Sequence, residues 1–279
     1  MWVGQQLADG LDFWGFLGSL ILGGIILGIY TGLLGYVGAK TGLSLDLLSQ
    51  RAFGEKGSYL PSAMTSFTQI GWFSVGSFVS GGTATPNFAR FAKNGKSGAI
   101  TTVVAFFIGN SLMFFFGAVS SIFVGGNDIF EVMIRLNLFY LAVLVLGLNI
   151  WTTNDNALYT AGLGLANIFH QRKKPMVLLS GIIGTVASVW LYYNFCGWLN
   201  ILNCTLPPVG MILVLAYFMN KEDFETDQPK LKTVDWFAVA GVILGAIVAN
   251  LLHWGIASIN GMVVAAVCYC VGQAVNKRK

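Results

Sequence analysis

The chain reads Leu146-Gly-Leu-Asn-Ile-Trp-Thr-Thr-Asn-Asp-Asn-Ala-Leu158 in the middle of an apolar run from Leu136 to Ile168. Six polar side chains crowd into this stretch: Asn149, Thr152, Thr153, Asn154, Asp155 and Asn156. Asp155 is the only carboxylate within the hydrophobic segments of the sequence. A carboxylate at bilayer depth is costly, so we expect it to face a bundle interior, a partner or a water-filled cavity.

The chemistry of this polar stretch suggests a binding site. Carboxamides, hydroxyls and a carboxylate together can bind a small polar solute or replace the water around a hard cation. The alternative is a polar patch that only holds neighbouring helices together. The number of polar groups exceeds what helix packing requires, which favours a binding site.

The composition indicates a membrane protein. Of the 279 residues, 55% are hydrophobic and only 10% are charged, whereas soluble domains carry about 25% charged residues. The mean hydropathy is +0.70. The alternating pattern of a membrane β-barrel is absent from the sequence. We therefore predict an all-α integral membrane protein with a single transmembrane domain over residues 1–279.

Several functional classes find no support in the sequence. The net charge of +4 does not indicate a nucleic-acid partner, because the basic residues lie in loops between apolar spans. The four cysteines form no C-x-x-C pair and are interpreted as reduced packing residues. The two histidines are isolated, and no nucleophile elbow, phosphate loop or H-E-x-x-H motif occurs. We predict that the protein is not an enzyme and has no cofactor.

Eight segments are candidates for membrane helices, against a requirement of about 20 apolar residues for a span. They cover residues 13–39, 58–88, 99–124, 136–168, 175–193, 198–219, 236–252 and 257–273. The first carries Gly24, Gly28 and Gly32 on one face, which predicts a tight helix contact. Residues 40–57 are predicted to be a loop, and Pro207-Pro208 is predicted to break its segment.

Segment 58–88 is too polar and too rich in glycine for a plain lipid-facing helix. Non-helical backbone survives at membrane depth only where protein or a wet cavity covers it, and broken helices of this kind form transporter sites. The alternative is a surface or re-entrant segment without a ligand.

The distribution of basic residues predicts the topology. Fifteen of the sixteen lysines and arginines fall into five groups: Lys40/Arg51/Lys56, Arg90/Lys93/Lys96, Arg172/Lys173/Lys174, Lys221/Lys230/Lys232 and Lys277/Arg278/Lys279. The positive-inside rule places all five groups, and hence the C-terminus, in the cytoplasm. From Arg90 onward, two spans separate neighbouring groups. Only one segment separates Lys56 from Arg90, so either segment 58–88 is re-entrant or an odd number of spans is missing.

Four longer stretches carry a family resemblance: Gly28–Gly42, Gln69–Phe73, Phe106–Phe114 and Val145–Tyr159. They closely resemble the bacterial cytosine permeases of the nucleobase–cation symporter family, and the resemblance covers essentially the whole chain. Members of that family have twelve spans, arranged as two inverted five-helix repeats plus two further helices. Against that pattern, the resemblance implies that this chain lacks the start of the first span and the region from the middle of the third to the middle of the sixth, with a join near Ser74–Ser77.

The resemblance thus implies a partial inverted-repeat transporter bundle of about seven or eight membrane segments. Residues 1–12 would be the remnant of the first broken helix. Segment 58–88 would combine the third and sixth helices, which explains why both its ends are basic. Segment 136–168, with its polar stretch, would be the eighth helix.

The resemblance also implies a site between the first, third, sixth and eighth helices. The substrate-binding candidates are Gln69, Trp72, Phe78, Ser80, Asn149, Asn154 and Asp155. A carboxamide can pair with the donor and acceptor edge of a pyrimidine, and an indole can stack on its face. An anchored amide is the alternative for Gln69, and a residue of the interfacial aromatic belt is the alternative for Trp72.

A sodium site is implied at Asn149, Thr152 and Thr153. Hydroxyl and carbonyl oxygens suit a hard cation, although threonines in helices often bond back to the preceding turn instead. The coupling ion implied by the resemblance is Na⁺ or H⁺.

The function implied by the resemblance is secondary active import of cytosine, with a coupling cation, across the bacterial inner membrane. The partners are then the nucleobase and the lipid bilayer, with no nucleic acid, and the oligomeric state stays open. The alternatives are a permease for another nucleobase or a hydantoin-like ring, or a shortened remnant that does not transport. Because the first repeat is largely missing, we expect no coupled transport by this chain, although a bent segment 58–88 could still support weak cytosine binding.

Overall fold

The computed structural model describes residues 12–75, 83–125, 129–226, 229, 231–252 and 254–276, and every regular element within these ranges is helical. The long helices are α1 (Phe13–Thr41), α3 (Tyr59–Val75), α5 (Gly95–Val104), α6 (Asn110–Val124), α8 (Phe139–Phe169), α9 (Lys173–Tyr193), α10 (Phe195–Met219), α12 (Trp236–Leu251) and α13 (Ala257–Asn276). The short helices are α2 (Leu45–Phe53), α4 (Pro86–Ala89), α7 (Ile129–Arg135) and α11 (Lys221–Glu225). A π turn over Ala105–Gly109 joins α5 to α6. The predicted all-α class is confirmed.

Five stretches of helix within the described ranges are long and apolar enough to cross a membrane. They are Phe13–Thr41, Gly95–Val124, Lys173–Leu191, Gly197–Met219 and Ala257–Val275, and Trp236–Leu251 is a shorter apolar helix. Large apolar side chains such as Phe123 and Val186 are exposed on these helices, as a lipid-facing surface requires. The protein is therefore an all-α integral membrane protein.

The glycine face of α1 makes the predicted close contact, and its neighbour is α5 with the π turn. A Cβ atom on Gly32 would lie 2.6 Å from the Val103 Cγ2 atom, and one on Gly24 would lie 2.9 Å from the Phe107 ring. Only a hydrogen at these positions lets the two helices approach so closely.

Residues 40–57 do not form a simple loop, so that prediction was wrong. They contain α2, which begins after Ser44, whose side chain accepts a hydrogen bond from the Leu47 amide. Leu45, Leu48 and Phe53 are fully buried. Apolar residues at helical spacing give this nine-residue element one buried face, although it is too short to span a membrane.

The predicted break at Pro207-Pro208 is also wrong, because α10 continues through both prolines. Proline has no N–H, so Pro207 cannot bond to the carbonyl of Asn203 four residues earlier. The Ser258 hydroxyl of α13 donates to that carbonyl over 3.1 Å. A neighbouring helix thus satisfies the backbone group that the proline leaves without a partner.

Two hydrophobic clusters hold the bundle together. The larger one joins α1, α2, α10, α12 and α13, and Tyr217 and Tyr269 are among its largest buried side chains. The smaller one places Trp198 and Leu202 of α10 against Ala157 of α8 and Leu191 of α9. These contacts fix α8, which carries the polar stretch, relative to the rest of the bundle.

Segment 58–88 begins and ends at the same end of the bundle. Near its start, the Ser62 hydroxyl donates to the Asp46 carboxylate over 2.6 Å. Near its finish, the Asn87 side-chain oxygen accepts from the Leu45 amide over 2.8 Å. Leu45 and Asp46 are adjacent, so the chain enters and leaves on one side. Residues 76–82, which connect the two parts, lie outside the described residues.

The described basic residues other than Arg135 gather at that same end. Lys40 pairs with Glu225 at 3.8 Å, and Arg51 donates to the Asp223 carbonyl. Arg90 and Lys173 both contact Tyr159, in the second half of α8. Arg135 pairs instead with Glu131 on α7, at the opposite end. We call the side of the bundle that holds the basic groups the basic end. The common position of these groups agrees with the grouping of charge predicted from the sequence.

Candidate functional site

A cavity of about 770 Å³ lies between α3, residues 84–93, α5 and α8. Its volume falls within the range of about 300–1,000 Å³ that is usual for small-molecule sites. The lining is mainly apolar. Its polar side chains are Gln69, Thr85, Lys93, Ser97, Thr101, Thr102, Thr152, Thr153, Asn156 and Thr160. The cavity extends from the middle of α8 toward Lys93 at the basic end.

One face of α8 forms a wall of this cavity. Thr152, Thr153, Asn156, Ala157 and Thr160 all line it, and their spacing is that of a single helix face. Asn149 lies one turn earlier in the same direction and is exposed. The polar stretch that stands out in the sequence therefore places part of its polar groups on the cavity.

Close packing between α3 and α8 sets the orientation of this wall. The Ser66 hydroxyl of α3 donates to the Ala161 carbonyl of α8 over 3.1 Å. A Cβ atom on Gly164 would lie only 2.2 Å from the Ser66 oxygen, so the helices could not meet this closely with a larger residue. Gln69 follows Ser66 by one turn and is buried in the cavity lining.

The predicted substrate residues are distributed unevenly around the cavity. Gln69 lines it, whereas Asn149, Asn154 and Asp155 are not among its lining residues. The Asn154 side-chain oxygen is buried without a hydrogen-bond partner among the described residues, and Asp155 is exposed. Phe78, Ser80 and the side chain of Trp72 lie outside the part of the chain that the structure describes. The substrate roles of all seven residues stay predictions.

The structure adds lining residues that the sequence reasoning did not select. Asn156 and Thr160 follow Thr153 by three and seven residues, so their helical spacing was a usable signal. Phe88 and Phe106 contribute aromatic rings from other elements. No local pattern assigns these two rings to the site, because only tertiary packing brings residues 84–93 and the π turn with Phe106 to α8.

The predicted cation ligands Thr152 and Thr153 also line the cavity. The Thr152 hydroxyl donates to the carbonyls of Leu148 and Asn149, at 3.0 and 3.2 Å. The Thr153 hydroxyl donates to the Asn149 side-chain oxygen over 3.3 Å. Both hydroxyl hydrogens are thus engaged within α8, but the oxygen lone pairs can still accept a hydrogen bond or a hard cation.

A buried polar network fixes the basic end of α3. The Asn167 amide of α8 donates to the hydroxyls of Ser58 and Ser62, at 3.1 and 2.9 Å. Gln50 of α2 donates to the Asn167 oxygen over 2.6 Å. Burial raises the pKa of Asp46, the acceptor for Ser62, to about 6, against the opposing effects of that hydrogen bond and of the Arg90 charge. The network ties α2, α3 and α8 together beside the cavity.

Tyr159 organises the end of the cavity nearest the basic end. Arg90 donates to its hydroxyl over 2.5 Å, and the Lys173 ammonium lies 3.5 Å from its ring centroid. The Phe88 ring is 6.2 Å away from the Tyr159 ring. These contacts hold residues 84–93 against α8, next to Thr160.

Comparison with known proteins identifies the family. The family described as "Permease for cytosine/purines, uracil, thiamine, allantoin" matches residues 1–84 and 74–275. This chain belongs to that permease family. The permease is 36% identical to the cytosine permease of Escherichia coli strain K12, in a match that covers 100% of this chain and 88% of the relative. The cytosine permease of Escherichia coli O157:H7 gives the same values.

The permease is shortened inside its sequence. The match to the relative extends over 372 residues, whereas this chain has 279, which leaves 93 without a counterpart. The two family matches overlap at residues 74–84, where one part of the family pattern stops and another resumes. This overlap agrees with the join predicted near Ser74–Ser77. The resemblance to a cytosine permease that lacks an internal region is confirmed.

Proposed function

We propose that this permease binds cytosine, or a nucleobase of similar size and hydrogen-bonding pattern, in the cavity between α3, residues 84–93, α5 and α8. The observation that supports the proposal is that Gln69 and the polar face of α8 line one cavity of small-molecule size. The relatives that match the whole chain are named cytosine permeases, which suggests the substrate class.

The chemistry of the lining suits a flat, uncharged ring. The Gln69 carboxamide has both a donor and an acceptor, so it can pair with a pyrimidine edge that carries both. The rings of Phe88 and Phe106 offer apolar faces for stacking. Lys93 is the one charged side chain among the described lining residues, and it lies toward the basic end. A neutral nucleobase therefore fits the lining better than an anion or cation of the same size.

The basic end supports an orientation for this site. By the positive-inside rule, the end that collects the basic groups faces the cytoplasm. The C-terminus follows α13 at that end, where Tyr269 and Gln273 border a small polar pocket with Lys232. The cavity then lies open toward the cytoplasmic side, as in an inward-facing transporter.

Import of cytosine coupled to Na⁺ or H⁺ is the second candidate, and the proximity of Thr152, Thr153 and Asn149 to the cavity favours it. Two observations weigh against it for this shortened chain. The match to the relative includes 93 residues without a counterpart here, and Asn149 is exposed rather than enclosed. Alternating access needs two bundles that rock around a central site. We therefore expect cytosine binding without gradient-driven accumulation.

The binding experiment uses the purified chain and radiolabelled cytosine. Replacement of Gln69 by alanine is expected to weaken binding about tenfold to a hundredfold, because Gln69 is buried in the lining and a lost buried hydrogen bond costs about 1–3 kcal/mol. The matched control is Gln171→Ala, which makes the same change in an exposed loop. Wild-type affinity in the Gln69→Ala variant would remove Gln69 from the site, and absence of cytosine binding would contradict the proposal itself.

Two further measurements separate the alternatives. Competition by uracil, purines and hydantoin against labelled cytosine identifies the preferred ring. Uptake into proteoliposomes, with and without an inward Na⁺ or H⁺ gradient, tests coupling. Accumulation above that of empty liposomes in the presence of a gradient would show that the shortened bundle suffices for transport.

A further inference from the structure

We propose that five exposed cations beside the cavity form a binding site for the phosphate of an anionic phospholipid. The five are Lys93, Lys96, Arg172, Lys173 and Lys174, and we call them the mouth cluster. The proposal does not depend on which solute the cavity binds.

Tertiary contacts bring the two loops of the mouth cluster together. Arg90, one turn before Lys93, donates to the Tyr159 hydroxyl, and Lys173 lies over the ring of the same tyrosine. Residues 90–96 and 172–174 are far apart in the sequence, so this meeting point concentrates positive charge that neither loop carries alone. Like charges held together in this way repel each other unless an anion lies between them.

Within the described ranges the mouth cluster has no acidic partner, whereas two other lysines at the basic end do. Elsewhere, Lys40 pairs with Glu225 and Lys232 pairs with Asp235. No ion pair within the described ranges joins a member of the mouth cluster to a carboxylate. The sequence contains no acidic residue between positions 57 and 127 or between positions 156 and 221. The carboxyl that faces Arg90 is that of Asp46, which is buried and already accepts from Ser62.

The depth of the mouth cluster matches that of lipid phosphates. The candidate membrane spans of α5–α6 and α9 begin at Gly95 and Lys173, so the five cations lie at the ends of spans. The exposed rings of Phe91 and Phe169 lie next to them in sequence, and Ile100 and Leu178 are exposed one to two turns further into the spans. Cations above an exposed apolar surface fit a ligand with a phosphate and acyl chains, whereas a free phosphate would gain nothing from the apolar part.

A lipid bound at this place would lie at the opening of the cavity, because Phe91, Lys93 and Ser97 also line the cavity. The lipid phosphate would contact the lysines, and its acyl chains would cover the exposed faces of α5 and α9. The proposed site therefore lies where residues 91–97 border the cavity near the basic end.

The test compares phosphatidylglycerol with phosphatidylcholine in mixed micelles, with native mass spectrometry to count the lipids that the purified chain retains. We expect preferential retention of phosphatidylglycerol. The triple variant Lys93→Gln/Lys96→Gln/Lys174→Gln is expected to lose about fivefold in affinity for each lysine removed. Lys40→Gln/Lys56→Gln/Lys221→Gln, with the same charge change at the basic end outside the cluster, is expected to retain the wild-type preference.

A third variant, Lys93→Arg/Lys96→Arg/Lys174→Arg, keeps the charge and is expected to keep the lipid, which separates lost binding from lost folding. Equal retention of the two lipids by the wild-type chain would overturn the proposal. An equal loss in the control triple variant would do the same, because it would reduce the effect to net charge. Displacement of phosphatidylglycerol by excess inorganic phosphate would show that the site takes soluble anions instead of lipid.

Discussion

Replacement of Asp46 by asparagine should remove a large part of the pH dependence of the free energy of unfolding. Asp46 of α2 is 6% exposed and accepts a hydrogen bond from Ser62 of α3. Burial raises its pKa from 3.8 to about 6. Between these two values the folded chain holds a proton that the unfolded chain releases. The free energy of unfolding therefore falls as pH rises through this window and is constant above it.

The size of the effect follows from the shift in pKa. One pKa unit corresponds to about 1.36 kcal/mol, so the shift of Asp46 amounts to about 3 kcal/mol between about pH 3 and about pH 7. The asparagine variant has no carboxyl to titrate, and its amide oxygen can still accept from Ser62. Relative to the wild type, the free energy of unfolding of the variant should gain about 3 kcal/mol between about pH 3 and about pH 7. Any cost of the substitution that is independent of pH cancels in this comparison.

The assay is unfolding by SDS in mixed micelles, followed by tryptophan fluorescence at several pH values. Glu222→Gln serves as the control, because Glu222 is an exposed acid at the same end of the bundle. This control should show the same pH dependence as the wild type. If Asp46→Asn also follows the wild-type curve, burial of the Asp46 carboxyl does not disfavour its charged form, and the reasoning is refuted.

Two further predictions concern topology and packing. Single cysteines at the positions of Lys93 and Lys173, in a cysteine-free background, should resist an impermeant label applied to intact cells; labelling at Lys173 would reverse the orientation. Gly38→Ala should destabilise the chain by about 1–3 kcal/mol in the SDS assay, because the new Cβ would lie 2.7 Å from the Pro86 Cα. The control Gly18→Ala lies in open space on the same helix and should leave the stability unchanged. Equal losses of stability in both variants would argue against the contact between α1 and α4.

Many features of the fold were predictable because they depend on local sequence. The first span was predicted at residues 13–39 and is Phe13–Thr41, and the polar segment was predicted at 136–168 and is Phe139–Phe169. Long apolar runs can cross a bilayer only as helices or closed barrels, which leaves few alternatives. The grouping of basic residues likewise predicted a common end. The positions of these residues at the ends of spans can be found in the sequence without knowledge of tertiary contacts. Helix α2 and the unbroken α10 were missed, since a short amphipathic helix gives a weak signal and Ser258 compensates for Pro207 from a distant part of the chain.

The sequence by itself determined that a polar stretch lies in the middle of a membrane helix, but only the tertiary structure decided which of its residues reach the cavity. Neighbouring residues on a helix point about 100° apart, so the direction in which α3 packs separates Thr153 from Asn154. The bond from Ser66 to Ala161 and the close approach at Gly164 set that direction. The same holds for segment 58–88, whose two ends meet the neighbouring residues Leu45 and Asp46. Contacts between residues far apart in the chain, and not local propensity, place the cavity.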